Sequence, residues 1–125
     1  MDLPKELLDL LHDRALCFIA TVMPDGSPQL TEVWVDTDGT HILVNTVEGF
    51  RKLRNVRRDP RVALNIADPE RPVRYFNLRG RVVAITTDGA AEHIEKLSHR
   101  YTGKPYSFGR GGTRVLLTIE VESIG

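Results

Sequence analysis

Apolar residues fall into two rhythms along the chain, and these divide it into elements. Leu3, Leu7, Leu8, Leu10 and Leu11 sit near helical spacing, with Pro4 in the first turn, which predicts a short amphipathic helix over 4–13. ALCFIATV (15–22) is a continuous apolar run, as a buried strand requires. MPDGSP (23–28) holds an Asp-Gly turn, and QLTEVWVD (29–36) then alternates polar and apolar positions like a half-exposed strand. A second Asp-Gly turn, TDGT (37–40), leads into HILVNT (41–46). Three strands joined by two tight turns make an antiparallel meander.

The period then changes. Phe50, Leu53 and Val56 recur every third residue, so 47–58 reads as a helix, with Thr46 able to cap it and Asp59-Pro60 ending it. RVALNIAD (61–68) is a strand and DPERP (68–72) a loop. VRYFNLRGRVVAI (73–85) is a long strand in which Gly80 suggests a bulge or barrel corner. A helix over roughly 89–101, a loop over 104–112 and an alternating strand over 113–124 complete the chain. The order α-β-β-β-α-β-β-α-β, with six strands linked mostly as hairpins, predicts one α+β domain spanning 1–125 and built on a small antiparallel barrel.

Composition narrows the function. Lys+Arg and Asp+Glu number 17 each, and this neutrality argues against a general nucleic-acid binder. Cys17 is alone, so an intrachain disulfide is impossible and a zinc cluster is not expected; a reducing, cytoplasmic setting fits. No apolar run approaches the ~20 residues of a membrane span, and the acidic, amphipathic N-terminus lacks a signal-peptide pattern. No Ser-His-Asp spacing, HExxH, CxxC or Walker lysine loop occurs. GRGG (109–112) lacks the strand-to-helix context of a dinucleotide fingerprint and reads as a loop. His12, His41, His93 and His99 are scattered and read as surface or capping residues, and Cys17 as a small buried hydrophobe.

Charge is concentrated in RKLRNVRRDPR (51–61), which holds six cations and one acid. At about 100° per residue, Phe50, Leu53 and Val56 share one side of the helix, while Arg51, Asn55 and Arg58 share the other. Unpaired like charges repel, so the face reads either as a solvated surface or as a seat for a small polyanion. Free backbone N–H groups at the helix start would favour a phosphate.

LCFIATVMPDGSPQLTEVWVD, ILVNT, FRKLRNVRRDPRVALNI and RYTGKPY together resemble the split β-barrel superfamily of pyridoxamine 5′-phosphate oxidase and related flavin and deazaflavin reductases. The basic run is most similar to the actinobacterial branch that uses coenzyme F420. That resemblance implies a homodimer of FMN-binding split-barrel type, with cofactor bound at the interface. It places Asn45 and Thr46 beside the ribityl chain and phosphate, Lys52 on the phosphate with Arg51 and Asn55 beside it, and Arg57 and Arg58 near the distal part. It also implies hydride transfer from the reduced deazaflavin to a conjugated small molecule, with chemistry carried by the cofactor. Six cations suit F420, with its phosphodiester and polyglutamate tail, better than FMN, the alternative. Gln29 is placed to reach the ring. Trp34, Tyr75 and Tyr101 are candidate substrate contacts, each with the plainer reading of a packing or interface aromatic. The competing functions are an FMN-dependent enzyme of the same fold and a flavin or haem carrier without turnover.

Overall fold

The computed structural model describes residues 1–107 and 112–125. Helix α1 (Lys5–Leu11) precedes β1 (Leu16–Val22), β2 (Pro28–Val33), β3 (Val35–Thr37) and β4 (Ile42–Val47). Helix α2 (Arg51–Arg58), β5 (Arg61–Asp68), β6 (Arg71–Thr86), α3 (Ala90–Thr102) and β7 (Arg114–Ile124) follow. All strands join one antiparallel sheet in the order β2-β1-β5-β6-β7-β4-β3.

Among the described residues the sheet has seven strands, not six. The expected single strand 29–36 changes neighbours at Trp34: Val33 pairs with Cys17 of β1, whereas Val35 pairs with Val44 of β4. Its two halves are therefore the two edges of the sheet, joined by one residue. That connection forces the sheet to curl until its edges approach, which makes a barrel split at Trp34. The inward positions Ile19, Val35, Ile42, Val44, Ile66, Leu117 and Ile119 are fully buried. Leu7 and Leu11 of α1 and Leu53 and Val56 of α2 join the same core. Cys17 is buried within it, as expected, and desolvation pushes its thiol up to about 12.

Two departures from the sequence reading bear on the site. Thr46 does not cap α2. It lies within β4, and Gly49, at φ +94°, turns the chain so that the helix begins at Arg51, behind an extended Phe50 without a side-chain cap. Asn55, read as part of an outward face, is fully buried. Its amide donates to Thr21 Oγ1 at 3.0 Å, fastening α2 to β1. The GRGG stretch lies outside the described residues except for Gly112. Among the described residues no helix is long and apolar enough to cross a membrane.

Gly80 marks the corner its position suggested. The register between β6 and β7 shifts at Arg79/Gly80, and a Cβ on Gly80 would stand 2.2 Å from the Glu120 carbonyl oxygen. Backbone on a paired strand cannot step aside as a flexible side chain can. Gly80→Ala is therefore expected to cost about 1–3 kcal/mol of unfolding free energy. Urea denaturation reads this directly, and an unchanged midpoint would refute the close approach.

Candidate functional site

A cavity of about 540 Å³ opens between β2, β4, the start of α2, α3 and the start of β7, a size suited to a small cofactor or substrate. Its apolar lining is Trp34, Val47, Phe50, Ile94 and Leu97. Its polar lining is Asn45, Thr46, Lys52 and Arg114, with Tyr106 between in character. Trp34 stacks on Tyr101 with ring centroids 5.2 Å apart and planes 9° from parallel, and meets Tyr106 edge-on at 6.5 Å. The partner change that divides β2 from β3 is what places Trp34 at this wall.

The polar lining is cationic. Lys52 is only 9% exposed and makes no hydrogen bond or ion pair among the described residues. Burial, and then the charge of Arg114, lower its pKa, and burial likewise lowers that of Arg114. Glu32, the one carboxylate among the described lining residues, is exposed. Arg114 Nε donates to Asn45 Oδ1 at 2.8 Å, and Nη1 donates to the Tyr106 hydroxyl at 3.0 Å. Its guanidinium carbon also lies 5.1 Å from the Tyr106 ring centroid. Thr46 is 2% exposed, and its hydroxyl has no hydrogen-bond partner among the described residues. Two cations with no buried acid among the described lining residues mark a place for an acceptor-rich, anionic group.

Four of the residues singled out from sequence line this cavity: Trp34, Asn45, Thr46 and Lys52. The others do not. Gln29 accepts a hydrogen bond from Thr21 at 3.1 Å, at the β1–β2 hairpin with Asn55. Arg58 donates to the Val22 carbonyl and to Asn55 Oδ1. Arg57 grips Glu48, with Nη1 donating at 2.9 Å. Arg54 donates to the Gly49 carbonyl, and Arg61 pairs with Asp59. Arg51 is half-buried at the helix start. Most of the basic run therefore serves the protein's own acceptors. Tyr101 backs Trp34 from behind: its hydroxyl donates to the Ala15 carbonyl at 2.7 Å, and burial pushes its pKa up to about 12. Tyr75 stands exposed on β6.

Arg114 and Tyr106 are not among the site residues read from sequence. His93, read as a surface or capping residue, instead bridges Asn45 and the buried Asp36. Tyr106 closes the RYTGKPY segment, the one available clue. Arg114 opens a strand and has no local signature.

The family model described as pyridoxamine 5′-phosphate oxidase matches residues 3–125. The chain belongs to this family. A solved structure named F420 Reductase is 30% identical, covers 98% of each chain and superposes with a TM-score of 0.86. A conserved hypothetical protein from Mycobacterium tuberculosis is 28% identical, with coverage of 98% of this chain and 82% of that one and a TM-score of 0.72. A pyridoxamine 5′-phosphate oxidase-like protein from Listeria innocua shares the fold at 20% identity, with 96% and 94% coverage and a TM-score of 0.73. The family's split barrel is the curled sheet described above.

Proposed function

We propose that the protein is an oxidoreductase that binds the deazaflavin coenzyme F420 and reduces a conjugated small molecule. The observation that carries the reading is the acid-poor pocket that buried Lys52 and half-buried Arg114 share with Trp34 and Phe50. These residues fit a planar ring with an anionic tail. Lys52 and Arg114 would take the anionic part by charge-assisted hydrogen bonds. Trp34 and Phe50 would flank the ring, and Val47, Ile94 and Leu97 would keep water from it. When bound, the reduced cofactor supplies the hydride, so the absence of a hydrolytic constellation is consistent with the reading.

The choice of deazaflavin over FMN is supported by the 30% identical F420 Reductase. The cation count no longer supports it, since Arg54, Arg57, Arg58 and Arg61 are engaged within the protein. Fluorescence titration with F420 and with FMN tests the choice. Tighter binding of F420 is expected, and tight FMN binding without F420 binding would overturn it. The reading includes a homodimer, because Leu30 and Tyr75 expose apolar surface on the outer face of the sheet. Sedimentation at the 14.1 kDa monomer mass would remove that part.

A further inference from the structure

We infer that His93 is a positioning residue for the pocket: with its tautomer set by Asp36, it helps hold the Asn45 amide in the one orientation that offers an acceptor to Arg114. The contacts run in one direction through four elements. Asp36 on β3 is 1% exposed, and its carboxylate takes Arg100 at 2.9 Å, His93 Nε2 at 3.0 Å and Lys96 at 3.4 Å. The acceptor-only carboxylate takes a proton-bearing Nε2, and the other ring nitrogen, Nδ1, faces the Asn45 Nδ2 as an acceptor. Asn45 Nδ2 meets this lone pair at 3.2 Å and the Ala90 carbonyl at 2.8 Å, using both amide hydrogens. Its Oδ1 then points to Arg114 Nε at 2.8 Å. A reversed amide would set oxygen against the Ala90 carbonyl and NH2 against the guanidinium, losing three contacts at once.

Arg114 is thus aimed through Asn45 by His93 and Asp36, which do not line the cavity, while Tyr106 holds its other edge. The inference rests on the proposed reading that Arg114 meets the anionic part of the ligand. Because α3 carries both His93 and Ala90, the helix is tied to the pocket through the Asn45 side chain.

Two substitutions divide the imidazole. His93→Asn keeps a polar atom near the place of Nδ1, whereas His93→Gln keeps one near Nε2 and leaves Asn45 without its imidazole partner. Long-range ¹H–¹⁵N correlation spectra of the cofactor-free protein should show His93 protonated at Nε2 only, with a slowly exchanging Arg114 Nε–H that shifts on adding inorganic phosphate. In His93→Gln that signal should exchange rapidly and F420 affinity should fall about 3- to 10-fold, the size expected for one lost hydrogen bond. His93→Asn should restore most of the affinity, and His93→Gln should add no further loss in an Arg114→Met background. An Nδ1–H tautomer in the wild type, equal losses in the two variants, or an undiminished loss without Arg114 would overturn the relay. Absence of F420 binding by a wild type whose Arg114 signal still responds to phosphate would sink the cofactor reading and leave the relay standing.

Discussion

Lys52→Met is expected to move two measurements in opposite directions: coenzyme F420 affinity falls about 10- to 100-fold, the worth of a hydrogen bond to a charged group, while the apoprotein becomes more stable. Without ligand, Lys52 is 9% exposed, has no partner among the described residues, and shares its pocket with Arg114. Burial and that neighbouring charge both disfavour its charged form. Methionine has similar length and needs neither water nor a counter-ion, so the folded apoprotein should gain about 0.5–2 kcal/mol. For a domain of this size that is a rise of about 2–8 °C in melting temperature. Arg57→Ala is the contrasting substitution in the same helix. Its guanidinium is engaged by Glu48 outside the cavity, and F420 affinity should change by less than about 3-fold, as for an exposed ion pair. Calorimetry without ligand and fluorescence titration with it give both numbers. A Lys52→Met protein that binds normally, or that melts earlier than the wild type, would remove Lys52 from the anion site.

This pair of outcomes also shows where sequence reasoning reached its limit. RKLRNVRRDPR was legible as a helix with excess charge, because periodicity reports which residues share a face. It does not report what that face meets. Asn55 and Lys52 stand three residues apart and both are buried, yet Asn55 is closed within the protein by Thr21 and Met23 while Lys52 opens on a cavity. The difference depends on β1 and β7, which are remote in sequence. The hairpins were readable for the opposite reason. The Asp-Gly turn after β1 is a local device, and it closes the expected hairpin, with Val22 opposite Pro28. The break at Trp34 was hidden because the alternation runs on through it. Only the choice of pairing partner changes, from β1 to β4, and pairing is a long-range property. Arg114 was hidden in the same way, since its role is defined by Asn45, 69 residues earlier.

Replacing Asp36 should produce the largest loss of stability. Its carboxylate is buried against Arg100, His93 and Lys96, so Asp36→Ala strands cations in the space it leaves and should cost about 3–5 kcal/mol. Asp36→Asn keeps the shape and one acceptor, and should cost less. The pH dependence separates charge from shape. Burial raises the Asp36 pKa, but hydrogen bonds from His93, the Thr37 backbone and Arg100, with the Arg100 charge, outweigh it and hold the carboxyl well below the usual carboxylate range. A carboxyl with a lower pKa folded than unfolded adds stability that is complete above its unfolded value of about 4 and drains away as pH falls below it. The gap in unfolding free energy between wild type and Asp36→Asn should therefore be flat from about pH 5 to 8 and narrow steadily below about pH 4. Urea titrations at a series of pH values measure the gap, and one that is absent at pH 7 or widens in acid would contradict the charge assignment. Such a network is costly to bury, and an apolar cluster would often hold β3 to α3 as well. What an apolar cluster lacks is direction: it could not specify which ring nitrogen faces Asn45, and so could not aim Arg114.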